Sequence, residues 1–308
     1  MELIRGTYNL RPRHRGSVVT IGNFDGVHRG HQVILDELKQ AGKRLQLPDV
    51  VMVFEPQPQE FFAGDKAPPR LMHWRDKMDA LEAHGVDRVF CVKFDEALRH
   101  LSARDFVEKL LVQGLGCRHL VVGDDFRFGC DRSGDFAYLQ AAGREFGFTV
   151  EDTNSVMVAG CRVSSTRIRE AVVAGRFDEA QEWLGAPYVI TGHVMHGDKI
   201  GRTLGIPTAN IALRRRVSPL HGIYAVRVHG LGEKPLYGAA SVGTRPAVNG
   251  TDNRIEVHIL DFDGDIYGRC IGVEFCAKLR EEMNFPSLEA LTEAIQKDIR
   301  DTRAYFGI

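Results

Sequence analysis

The chain predicts two fold classes in series: a Rossmann-like, doubly wound α/β domain, then an all-β barrel domain that ends in a helix. Strand-like runs at residues 50–54, 88–94 and 119–123 alternate with helical patterns at 74–84, 103–111 and 136–146, which calls for a parallel sheet covered on both faces. After Trp183-Leu184-Gly185-Ala186-Pro187 the texture changes to short alternating runs at 224–228, 238–242 and 255–260 between glycine-rich turns, the pattern of a barrel. Leu288, Leu291, Ile295 and Ile299 then share one helical face. At 308 residues the chain is long for a single domain. The boundary is placed at 186, giving domains 1–186 and 187–308.

The first informative element is Thr20-Ile-Gly-Asn-Phe-Asp-Gly-Val-His-Arg-Gly-His31. It follows an apolar run from Ser17 to Ile21 and leads into a helical pattern at 32–47, where Ile34, Leu38, Ala41 and Leu45 recur with helical period. Strand, glycine turn and helix in that order make a phosphate site. Gly22, Gly26 and Gly30 let the backbone approach a ligand, and the helix start offers unpaired N–H groups. Asn23, Phe24 and Asp25 complete the turn. His28 and His31, three apart at the helix entry, can both donate to one anion. A plain structural turn with two surface histidines is the alternative on these residues alone.

Gly123-Asp-Asp-Phe-Arg-Phe-Gly129 follows the run at 119–122 and so falls at the carboxyl edge of the sheet. Asp125 is a candidate for a ribose hydroxyl or an amide partner, while Phe126 and Phe128 either pack the core or line a ligand slot. Ser164-Ser165-Thr166-Arg167-Ile168-Arg169 joins an apolar strand pattern at 156–163 to a helix at 168–174. Helix capping explains one hydroxyl. A second phosphate clamp for a triphosphate or leaving pyrophosphate explains the three hydroxyls and two guanidiniums together.

In the second half, residues 192–210 carry glycines at 192, 197, 201 and 205, with Lys199 and Arg202 between them. This is not a Walker A loop. It reads as a cationic flap able to fold over phosphates, or as an ordinary surface hairpin. Residues 254–262 alternate so that Ile255, Val257 and Ile259 face one way and Glu256, His258 and Leu260 the other; a glutamate there is ordinarily just solvated.

Bulk properties narrow the classes further. Forty basic against 41 acidic residues give no polyanion groove, so no nucleic-acid partner is expected. No apolar run approaches the ~20 residues of a membrane span, and the polar, Arg-rich start is no leader, so a soluble cytoplasmic protein is expected. The six cysteines form no Cys-x-x-Cys pair and read as reduced core residues, with no zinc site and no disulfide framework.

The string at 20–31 resembles the HxGH signature of the nucleotidylyltransferases, and its Gly-Asn-Phe-Asp-Gly form resembles the bacterial bifunctional riboflavin kinase/FAD synthetases. The segments at 123–129 and 164–169 are similar to further motifs of that family, in the same order. Pro207-Thr208-Ala209-Asn210 preceded by Gly201-Arg202-Thr203-Leu204-Gly205 resembles the riboflavin kinase signature, and 256–262, 241–246, 265–268 and 280–285 are similar to other kinase segments. Ile206 departs from the phenylalanine common at its position.

The resemblance implies an FMN adenylyltransferase in 1–186 and a riboflavin kinase in 187–308, with riboflavin, FMN and ATP as substrates and ADP, FAD and pyrophosphate as products. It makes Glu256 the kinase base and gives phosphate binding to Gly197, Lys199, Gly201 and Arg202. Flavin contacts go to Phe126, Phe128, Arg280 and Phe285. Thr208 and Asn210, on one side of an extended segment, would ligate Mg2+. A nucleotidylyltransferase for another phosphorylated substrate would leave 207–210 and Glu256 unexplained. A non-catalytic flavin- or nucleotide-binding regulator would not need acid-base and metal residues in both halves.

Overall fold

The computed structural model describes residues 1–130, 132–197, 205–213, 218–247 and 250–308, with the side chains of 244–247 and 250–253 left out of the description. Lys199, Gly201 and Arg202 therefore lie outside the described residues. The chain forms two compact units, 1–68 with 74–164, and 69–73 with 165–308.

The first unit is built on six strands: β1 (Glu2–Arg5), β2 (Ser17–Ile21), β3 (Asp49–Glu55), β4 (Arg88–Lys93), β5 (Cys117–Gly123) and β6 (Thr149–Thr153), ordered β1-β4-β3-β2-β5-β6. Every pairing is parallel. The crossovers are α1 (Arg29–Leu45), α2 (Pro58–Ala63), α3 (Trp74–Ala83), α4 (Glu96–Arg99), α5 (Ala103–Phe106, continued by a wider turn of helix over Val107–Gly114) and α6 (Phe136–Phe146). β2 is buried along its whole length, as a strand covered on both faces must be. Val19, Ile21, Val50, Met52, Phe90, Val92, Leu120 and Val122 form part of the continuous core.

The strand expected over 156–163 is instead a hairpin of β7 (Met157–Val158) and β8 (Cys161–Arg162). Ala159 and Gly160 both have positive φ, 50° and 75°, and this pair of left-handed residues reverses the chain inside the apolar run. The cysteine expectation also needs correction. Only Cys91 and Cys117 are buried, while Cys130 and Cys270 are exposed. Burial pushes the Cys91 thiol up to about 11 and that of Cys117 up to about 12. Both are therefore inert.

The second unit opens with α7 (Ser165–Val173) and α8 (Phe177–Leu184), ahead of the change in texture at 186. A closed antiparallel barrel follows, from β9 (Val189–Met195), β10 (Ala209–Ala212), β11 (Gly222–His229), β12 (Leu236–Ala247), β13 (Gly250–Ile259) and β14 (Cys270–Arg280), in the order β10-β13-β12-β11-β14-β9. The final helix is α9 (Leu288–Phe306), capped by the Ser287 hydroxyl, which accepts from the Ala290 N–H.

Ile211, Val226, Ala240, Val242, Ile255, Val257 and Val273 are fully buried on the inward-facing positions of the strands. An aromatic cluster seals the α8 side. Phe177 lies 6.4 Å from Tyr188, 5.8 Å from Tyr224 and 6.0 Å from Phe275, ring centre to ring centre. Phe177 is buried, so Phe177→Ala opens a cavity in the wall of this unit and lowers its stability by about 3–5 kcal/mol. A fragment starting at 165 should accordingly melt above one starting at 187, which lacks α8. Calorimetry on the two fragments checks this, and equal melting temperatures would show that α8 does not brace the barrel.

Candidate active sites

In the first unit, β2 lies between β3 and β5, where successive connections run to opposite sides. Such a switch leaves a crevice at the carboxyl ends of the strands, the usual ligand position of an open parallel sheet. The Gly22–Val27 turn leaves β2 at this point. Gly22 and Asn23 are half-buried, and Phe24, Asp25 and Gly26 are buried. Phe24, Gly26 and Val27 all have positive φ, at 48°, 89° and 38°.

His28 is the residue before α1, and its Nδ1 accepts from the His31 N–H at 3.3 Å. That fixes the ring so that Nε2 is left as the donor. The two imidazoles stack with centres 3.6 Å apart and planes 13° apart, and Phe24 lies 4.9 Å from His31 on another side. Gly30 permits this, because a Cβ there would meet the His28 ring at 3.2 Å. Burial, the neighbouring His28 and the charge of Lys77 hold the His31 pKa well below the usual histidine range. His31 is thus a neutral ring, and its buried Nδ1 has no hydrogen-bond partner among the described residues. The pair is a hydrogen-bonding device rather than a doubly cationic one.

Asp125 and Asp124 sit just past β5 and share Arg162, at 3.0 and 2.7 Å. Phe128 is buried against Phe106 and Tyr138, whereas Phe126 stacks on Phe128 and is only partly buried. Sequence reasoning missed a second aromatic group just past β3 and β4: Phe61 and Phe62 lie 5.3 and 5.7 Å from Phe94, and Phe62 is 63% exposed. Its signal was the Phe61-Phe62 pair on a short helix. Gln57, at the start of the same helix, has a buried Nε2 with no partner among the described residues. Ser164 closes the first unit, and Ser165, Thr166 and Arg167 open α7 in the second, Thr166 and Arg167 being exposed.

In the barrel unit the register places Asn210 opposite Glu256 and Glu256 opposite Ser241. Directly paired residues point to the same face, so these three form a row on the outer wall while Ile255 and Val257 face inward. A cavity of about 290 Å³ lies over this wall, lined by Glu256, Thr208, His258, Arg280 and Phe285 together with Leu291 and Ile295 of α9. Arg280 is pinned by Asp298 through two contacts, 2.8 and 2.7 Å, and its guanidinium stands 5.6 Å from the Phe285 ring. His258 Nδ1 donates to the Pro207 carbonyl at 2.9 Å, which ties the 207–210 segment to β13.

A second cavity of about 250 Å³ is lined by Pro207, Thr208, Phe262, Asp263, Asp265 and Tyr267. Thr208 is common to both cavities. Asn210 does not line either, but its Nδ2 lies 3.3 Å from the Thr208 carbonyl, which leaves Oδ1 as its acceptor. Gly197 lies against it so closely that a Cβ would meet the amide at 2.5–2.7 Å. A hydroxyl, an amide oxygen and a carboxylate in this row are hard donors of the kind that suit a divalent cation. Among the described residues no group of three or more His, Cys, Asp or Glu could hold a metal, and no helix is long and apolar enough to cross a membrane.

Comparison with known proteins divides the chain in the same sense. Residues 10–167 match the FAD synthetase family model and residues 184–306 the riboflavin kinase model. The bifunctional riboflavin kinase/FMN adenylyltransferase of Escherichia coli (strain K12) is 50% identical over 100% of this chain and 99% of its own length. Proteins of the same description from Pseudomonas fluorescens and Haemophilus influenzae are 53% and 47% identical, covering 99% and 100% of this chain and 97% and 100% of their own lengths. A solved structure described as a macrolide-efflux protein from Streptococcus pneumoniae superposes with a TM-score of 0.80 at 31% identity, over 98% of this chain and 99% of that one. With both family models matched in order and near-complete coverage by relatives at about half identity, the chain belongs to the bifunctional riboflavin kinase/FMN adenylyltransferase family.

Proposed function

We propose that the two cavities of the barrel unit hold the acceptor and the donor of a single phosphoryl transfer, riboflavin beside Glu256 and ATP beside residues 262–267. The observation that carries this is Thr208, which lines both cavities next to the Asn210–Glu256–Ser241 row. The apolar side of the first cavity, with Ile206, Ile223, Met283 and Phe285, suits a flavin ring. Its ribityl 5'-hydroxyl then reaches Glu256, which takes the proton as the oxygen attacks the γ-phosphorus and ADP leaves. Mg2+, held by Thr208 and Asn210, would neutralise charge on the transferring phosphate. Arg280 already spends its fork on Asp298 and so shapes the cavity with its plane.

In the first unit the attacking group is the FMN phosphate, already an anion. It displaces pyrophosphate from the α-phosphorus of ATP, a step that needs donors and positioning but no base. The Gly22–Val27 turn, the His28 Nε2–H and the neutral His31 ring are the proposed donors. Asp125, the partly buried Phe126 and the exposed Phe62 are proposed to face the bound nucleotide and flavin. On the sequence alone, Ser164, Ser165, Thr166 and Arg167 are proposed as triphosphate ligands, and Gly197, Lys199, Gly201 and Arg202 as phosphate contacts of the kinase.

Glu256→Gln keeps the shape of the side chain and removes the base, so riboflavin phosphorylation should drop by about 10²–10⁴-fold while adenylylation of supplied FMN persists. Chromatographic separation of the flavins measures both, and a near-parental kinase rate would return Glu256 to the role of a solvated strand residue. His28→Ala and His31→Ala should do the reverse. FAD formation slows by about 10²–10³-fold and FMN accumulates from riboflavin. Continued FAD production at the parent rate in a well-folded variant contradicts the assignment.

Because the folded pKa of His31 is depressed, the unfolded chain takes up a proton near pH 6.5 that the folded chain refuses. The stability this confers is complete above the unfolded value and is lost as the pH falls below it. Thermal melts between pH 7.5 and 5.5 should therefore decline more steeply for the parent than for His31→Gln. Parallel curves would mean that His31 protonates normally in the fold.

A further inference from the structure

Lys77, on α3, is fully buried, although a lysine on a helix of this composition is ordinarily solvated. An interior ammonium is costly unless its protons are held by acceptors. One such acceptor is the carbonyl of Asn23, 2.6 Å from Nζ. That carbonyl belongs to the turn whose next residues, Phe24, Gly26 and Val27, are left-handed. Left-handed backbone at Phe and Val is strained and persists only where the surroundings over-determine it. Beyond the turn stands the His28–His31 stack, and His31 feels the charge of Lys77.

We propose that Lys77 is a positioning residue for adenylyl transfer. Its buried ammonium holds the Asn23 carbonyl inward, so that the strained 24–27 turn keeps its N–H groups and the His28–His31 pair in the arrangement that receives phosphate. The same charge, fixed beneath the turn, adds to the field that attracts an anion there. The inference rests on the turn being the phosphate site of the adenylyltransferase.

The test is Lys77→Met in the full-length protein, which keeps the shape of the side chain and removes the charge. A lysine that merely fills space would be replaced without loss of activity, and the fold would be as stable or more so. The positioning role instead predicts a lowered melting temperature, because the Asn23 carbonyl loses its 2.6 Å donor, together with unchanged riboflavin phosphorylation and a kcat for FAD formation lower by about 10²-fold, the usual consequence of misplacing reacting groups by about 1 Å. It also predicts that the His31 ring, faced by His28, Phe24 and Lys77, titrates at higher pH in the variant when followed by NMR. FAD formation at the parental kcat in Lys77→Met overturns the proposal. If His31→Ala also retains FAD formation, the phosphate-site assignment falls with it; if His31→Ala is inactive, only the role of Lys77 falls. Should the variant fail to fold, the nitrogen resonance of Lys77 in the parent protein decides: an amine that is neutral at pH 7.5 is incompatible with the role.

Discussion

The row proposed as the kinase site depends on the hydrogen-bond register of three adjacent strands. β13 pairs with β10 on one side and β12 on the other, and this alone puts Asn210, Glu256 and Ser241 in one row. A slip of one residue would send Glu256 into the barrel and bring Val257 to the cavity. The slip is prevented by side chains that take no part in chemistry. Ile211, Ile255, Val257, Ala240 and Val242 have no exposed surface, and expelling each larger aliphatic from the interior would cost about 1.5–3 kcal/mol. The position of Glu256, the proposed base, is therefore a property of the apolar face opposite it.

The first unit solves a comparable problem with a parallel sheet. Parallel strands bring all carboxyl ends to one edge, and the reversal of strand order around β2 opens the crevice there. The turn in that crevice is not a relaxed loop. Two non-glycine residues with positive φ cost of order 1–3 kcal/mol each, so buried neighbours must hold them. Phe24, Val27 and Lys77 are all nearly inaccessible, and the rigidity this gives is what an anion site needs if its N–H groups are not to reorganise during transfer.

Much of this was legible in the chain. Periodicity alone separated the α/β half from the barrel, and the alternation of residues 254–260 correctly put Glu256 on the face opposite Ile255 and Val257. The glycine turn and histidine pair were legible because residues at fixed short spacing must sit together at a helix start. What stayed hidden were contacts between residues far apart in sequence. Lys77 reads as one more charged residue on an amphipathic helix, and nothing local marks Asn23, 54 positions away, as its partner. Arg280 and Asp298 are likewise separate until the barrel and α9 are packed. The hairpin at 157–162 was misread because its apolar residues continue through the turn, and only Gly160 signalled the reversal.

The two halves also differ in a way their substrates explain. An alcohol is a poor nucleophile at neutral pH, so the kinase half needs a carboxylate beside it, and Glu256, the carboxylate in the cavity row, is the one proposed for that role. A phosphate monoester is already anionic, and a base beside it would add a negative charge where two phosphate groups must approach. The turn at 22–31 accordingly presents N–H groups, a half-buried asparagine and two imidazoles. The one carboxyl in that stretch, Asp25, is buried at 1% exposure, away from the surface an anion would meet. A neutral His31 fits this demand better than a cationic one: it donates without the desolvation cost of a buried charge, and it does not repel the ammonium beneath it. On the proposed reading the buried positive charge beside the turn is that of Lys77, where the fold fixes it, and hydrogen bonding to the ligand is assigned to the imidazoles.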